Sequence, residues 1–152
     1  MKNRIAVIAL LAAAIVLGVF MPRYLRASQD DAGGEAVSGN IDRVEIMHFH
    51  GTRQCDTCIA VGEYAKETVN TYFAKQAESG AVEFKEVNSD LPDSAEIVRQ
   101  YGAGGASLWI GIYDKDGGFS KEENTDVWFR VNDKQGYMDY LRGVIEQKLS
   151  GE

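Results

Sequence analysis

The chain has 152 residues, 45% of them apolar and 26% charged, which suits one globular domain plus a short separate segment rather than two domains. Its formal charge is −7, and every one of its 23 acidic residues lies at Asp30 or later. That acidic surface repels phosphate backbones, and no basic stripe with interleaved aromatics offsets it, which argues against nucleic acid as a partner.

Residues 5–21, IAVIALLAAAIVLGVFM, carry no charge. A run of this length is short for a bilayer span and long for the apolar part of a secretory signal, so both readings put the chain at a membrane. Bulky Leu25 stands two places before Ala27, which makes a poor cleavage site and favours an uncleaved single-pass anchor over residues 1–27; cleavage would instead release a secreted domain. No cysteine precedes Cys55, so a lipid-modified cysteine is excluded. Lys2 and Arg4 on one side nearly balance Arg23 and Arg26 on the other, and the α-amino group tips the N-terminus toward the cytoplasm, leaving the domain outside it. Residues 28–40, SQDDAGGEAVSGN, read as a flexible linker, with the folded domain at 41–152.

The run 43–49 is nearly continuous in apolar and aromatic character, as expected of a central strand covered on both faces. A helix follows, with Cys58, Val61, Ala65, Val69, Tyr72, Phe73 and Ala77 recurring mostly at three and four and Gly80 closing it. A strand is expected over 81–87. A turn through Asn88-Ser89-Asp90-Leu91-Pro92 leads to a second helix, where Asp93 and Glu96 have capping-box spacing and Gly102 is the stop. A strand over 107–113 carries Leu108, Trp109, Ile110 and Ile112; after the turn signal Asp116-Gly117-Gly118, a strand around 127–131 should pair with it and place Trp109 and Trp128 in adjacent strands. A last helix over 134–149 presents Tyr137, Met138, Leu141, Val144, Ile145 and Leu149. The order is βαβαββα: an α/β domain with a four-stranded mixed sheet flanked by helices, preceded by an N-terminal apolar helix.

Both cysteines fall in one C-x-x-C, Cys55-Asp56-Thr57-Cys58, directly after the first strand and at the opening of the first helix. A sulfur at a helix N-terminus meets unpaired backbone amides and the positive end of the dipole, which favours thiolate, and a second sulfur one turn inward can attack it. Gly102-Ala103-Gly104-Gly105 precedes a strand and cannot cradle a pyrophosphate, so it reads as a loop beside the site. Asp114-Lys115-Asp116-Gly117-Gly118 lacks the glycine and terminal carboxylate of a calcium loop and reads as a hairpin turn.

Through Val44 to Phe49 leading to Cys55-x-x-Cys58, then Val87-Asn88-Ser89-Asp90, then Tyr101-Gly102 ahead of a Trp109-containing strand, the chain resembles the thioredoxin-like superfamily over its whole globular part. Its Phe49-His50-Gly51-Thr52-x-x-Cys55-x-Thr57-Cys58 stretch is similar to a small membrane-anchored subgroup, the ArsF-type family, some of whose members are named nitrophenyl compound nitroreductase subunits. The resemblance implies a thioredoxin-like fold and a redox-active disulfide, with Cys55 the exposed attacking thiol and Cys58 the resolving one. It also implies a protein disulfide or dithiol as partner, or a membrane electron carrier, and no cofactor. Alignment by Phe49 puts His48 where thioredoxins keep a buried carboxylate under the resolving cysteine, so His48 is expected to shuttle the proton of Cys58; a core histidine bonded to backbone is the alternative. Two departures stand out. Ser107 occupies the position of the family's cis-proline, and Gln54 and Asp56-Thr57 replace its usual aromatic and Gly-Pro. Asp56 would oppose a thiolate while Arg53 and a protonated His50 would favour it. Two other readings remain open: a zinc or copper module built from Cys55, Cys58, His48 and His50, and a redox-silent docking scaffold with a permanent disulfide.

Overall fold

The computed structural model describes residues 40–151. The anchor or signal segment over 1–27 and all of the linker except Asn40 lie outside the described residues. Among the described residues no helix is long and apolar enough to cross a membrane.

Strand β1 (Ile41–His50) is buried continuously from Val44 to Phe49 because alternate residues feed two different cores. Val44 and Ile46 join one, Met47 and Phe49 the other, as a strand with helices on both faces requires. Helix α1 (Asp56–Tyr72) follows and is continued by the short helix α2 (Ala74–Ser79). The single helix expected there breaks at Phe73, and Gly80, at φ 79°, ends α2 in the left-handed region that glycine tolerates. Strand β2 (Val82–Asn88) leads through a 3-10 turn, Pro92–Ser94, into helix α3 (Ala95–Tyr101). The capping box expected from Asp93 and Glu96 is not formed: the Pro92-led turn occupies that stretch, and the residue before α3 makes no side-chain cap.

Strands β3 (Ser107–Asp114) and β4 (Phe119–Glu123) form the hairpin, and Lys134–Ser150 forms helix α4. The second hairpin strand was expected around 127–131. It lies instead at Phe119–Glu123, and Thr125–Phe129 is a 3-10 turn, so Trp128 is not in a strand beside Trp109. The turn sets this register. Asp114 Oδ1 accepts from Asp116 N at 2.9 Å and Gly118 N at 2.7 Å, closing the loop so that Tyr113 pairs with Phe119.

The sheet order is β2-β1-β3-β4, with β1 and β2 parallel and the other pairs antiparallel. This is the four-stranded mixed sheet expected from the sequence. Helices α1 and α4 cover one face through Val61, Ala65, Val69, Tyr137, Leu141 and Ile145, while Tyr101 of α3 and Ala103 after it cover the other. Helix α4 starts sharply because Asp133 caps it, accepting from Gly136 N at 3.0 Å. Asp133→Ala should therefore cost about 1 kcal/mol, read as a lower denaturation midpoint at unchanged slope.

Candidate active site

The register fixes which residues share one end of the sheet. His50 pairs with Asn88 at the carboxyl ends of β1 and β2, and Phe49 pairs with Ser107 at the start of β3. The loop from Gly51 to Gln54 leaves this end and delivers Cys55 to the start of α1.

Hydrogen bonds from the β2 side hold that loop in place. Ser89 N donates to His50 O at 2.7 Å, Thr52 N donates to Asp90 Oδ2 at 2.7 Å, and Asn88 Nδ2 donates to Thr52 Oγ1 at 3.2 Å. The bond from Thr52 holds the Asp90 carboxyl below its usual range. In the sequence, 88–90 reads as a turn and as part of the thioredoxin-like resemblance, with no sign of its bonds to the loop before Cys55. Asn88 and Asp90 carry the turn signal, because short Asx side chains accept from backbone N–H groups, here those of Asp90 and Thr52.

Cys55 is the N-cap of α1, and its Sγ accepts from Cys58 N at 3.1 Å. The helix could form around an Asp or Ser cap equally well; here the capping acceptor is a sulfur. Cys55 and Cys58 form a disulfide with Cα atoms 5.0 Å apart, as one helical turn places them. Cys55 is exposed and Cys58 half-buried, so the Cys55 sulfur is the more accessible of the two. Arg53, Asp56 and Thr57 are all exposed around it. When the bond opens, a sulfur at position 55 faces the unpaired amides of the first turn.

His48 lies behind this pair on the same sheet face as Val44 and Ile46, fully buried against α1. Gly62 makes room for it: a Cβ there would collide with the imidazole, sitting 3.1 Å from its Cγ. Burial pushes the His48 pKa down, partly offset by Glu86 and by the backbone of Cys58. Neither ring nitrogen has a hydrogen-bond partner among the described residues. His48 Nδ1 lies 3.7 Å from Glu86 Oε1, and the same oxygen is 3.8 Å from His50 Nε2. His50 is further held by its Nδ1, 2.9 Å from Gly51 O. Glu86 was not singled out in the sequence, where it reads as one of many surface carboxylates.

Ser107 is buried at the start of β3, donating to Gly105 O at 3.1 Å and accepting from Trp109 Nε1 at 3.0 Å. Among the described residues there is no cis peptide bond. No group of three or more His, Cys, Asp or Glu side chains among them is placed to hold a metal ion, and with both sulfurs in the disulfide the set Cys55, Cys58, His48 and His50 is not assembled.

No family model and no curated protein matches the chain. Among solved structures, the solution structure of a thioredoxin from Thermus thermophilus matches at 18% identity and a TM-score of 0.40, over 67% of this chain and 73% of that one. Nothing about this chain's chemistry follows from a likeness of that size.

Proposed function

We propose that this chain is a thioredoxin-like thiol-disulfide oxidoreductase that exchanges electrons with another protein beside a membrane. The observation that carries it is the exposed Cys55 sulfur at the N-cap of α1 with Cys58 bonded to it one turn inward. The sheet order with one parallel pair, and the C-x-x-C at the junction of its central strand and first helix, support the superfamily reading. The ArsF-type resemblance and the apolar run over 5–21 support a membrane-held, extracytoplasmic domain.

In the reducing half of the cycle a thiolate of the partner attacks Cys55 Sγ. The Cys55–Cys58 bond breaks as the mixed disulfide forms, and Cys58 leaves as a thiolate that takes up a proton. A second partner thiolate then attacks its own sulfur in the mixed disulfide. Cys55 is released as a thiolate, the partner becomes a disulfide, and two electrons have moved to this chain. Run backward, Cys58 loses its proton before attacking. His48, buried beneath the first turn, is the group proposed to hold that proton.

Cys58→Ser tests the reading. The variant should accumulate a mixed disulfide on Cys55 in native membranes, visible as a dithiothreitol-sensitive mass shift, whereas Cys55→Ser should form none. No adduct on Cys58→Ser would defeat the exchange reading and favour a permanent disulfide.

A further inference from the structure

A fully buried imidazole that gives and takes a proton needs a way to exchange it with water, since neither of its nitrogens is solvated or bonded among the described residues. The surroundings leave few routes. Helix α1 presents the Cys58 backbone and Gly62, and β3 sets Leu108 opposite the residue. The ionisable groups acting on the ring are His50 on its own strand and Glu86 on β2. Lys85, next to Glu86, turns to the opposite face of the sheet, where it bonds Glu45.

Glu86 pairs in register with His48, so its side chain stands on the same face at the next strand. One of its oxygens lies between the two imidazoles, and its side chain is half exposed. At 3.7 and 3.8 Å the contacts are too long for hydrogen bonds, but a small rotation of an exposed carboxylate, or one bridging water, closes either of them.

We propose that Glu86 is a positioning residue of the redox site: the port through which His48 exchanges the Cys58 proton with solvent. His50 shares the carboxylate and steadies its outer position. The step balances simply. On reduction one proton passes from water to Glu86, from Glu86 to His48 and from His48 to the departing Cys58 thiolate; on oxidation it returns by the same groups, while the electrons travel only through the sulfurs. The proposal rests on the proton-holding role of His48 given above.

The test is the rate of reduction of the full chain in detergent by dithiothreitol, followed from pH 5 to 9 and divided by the thiolate fraction of the reagent. The wild type should show an inflection where His48 titrates. In Glu86→Gln the inflection should move to lower pH, because the negative charge that favours the imidazolium is gone. Above the inflection its rate should fall about tenfold, below the full 10²–10⁴ of a positioned proton donor. His48→Asn, or His48→Gln if the first folds poorly, should lose the inflection, and adding Glu86→Gln to it should change nothing further. If Glu86→Gln superposes on the wild type while the His48 variant loses the inflection, the port is overturned and the shuttle stands. If the His48 variant keeps the inflection, or Glu86→Gln still acts without His48, both are overturned, although Cys58→Ser trapping would still hold.

Discussion

Gly111→Val should destabilise the domain by about 3–5 kcal/mol, seen as a large fall in denaturation midpoint. Gly111 is buried in β3 and pairs in register with Glu45, leaving space that the Tyr101 ring fills. A Cβ there would lie 2.9 Å from Tyr101 Cζ and 3.2 Å from Phe119 Cε2, and would strike the hydroxyl itself. That hydroxyl donates to Glu45 Oε2 at 2.9 Å, and Glu45, only 2% exposed, also holds Lys85 at 2.6 Å and Arg43 at 3.3 Å. The valine therefore overpacks the core and strips one partner from a buried carboxylate. Burial pushes the Glu45 pKa up, but hydrogen bonds from Lys85 and Tyr101 and the charges of Lys85 and Arg43 outweigh it and hold it below the usual value. A carboxyl with a lowered folded pKa stabilises the fold above its ordinary pKa and loses that contribution as pH falls through the folded value. The deficit of the variant should accordingly narrow on acidification. Gly104→Ala, with nothing within 4 Å of the new Cβ, should stay within about 0.5 kcal/mol of wild type; an equal loss at both glycines would contradict the packing argument.

Gly62→Val should cost about 2–4 kcal/mol and displace His48. The glycine is buried in the second turn of α1, where most sequences gain about 1 kcal/mol from alanine. Here that gain is opposed because the imidazole occupies the space of any Cβ, so Gly62→Ala should be destabilising or neutral. Thermal melts give the stability, and the chemical shift of the His48 ring followed against pH reports its displacement. A clearly stabilised Gly62→Ala would show that the ring moves aside freely.

What the sequence made legible was set by local chemistry. The double-sided burial of β1, the helix opening at Cys55, the stops at Gly80 and Gly102 and the Asp114 turn all depend on residues near one another in the chain. The misplaced hairpin strand is the opposite case. Val127, Trp128, Phe129 and Val131 favour extended backbone, yet the turn at Asp114 has already fixed the pairing partner as FSKEE. That stretch is a polar edge strand with one neighbour and a solvated flank, so no apolar alternation announces it. Long-range partners were hidden for a related reason. Glu45 in an apolar run gives no hint of Tyr101, 56 residues away, and neither His48 nor Glu86 signals that β1 and β2 will set them side by side.

The two outer strands also bear on how molecules of this protein meet one another. Among the described residues β2 and β4 are the outer strands; β2 exposes Lys85 and Glu86 and β4 exposes Lys121, Glu122 and Glu123, so each outer row is fringed with charge of both signs. Two copies approaching side by side would have to strip water from those groups before any ladder could zip, which guards against runaway stacking even where many copies crowd together.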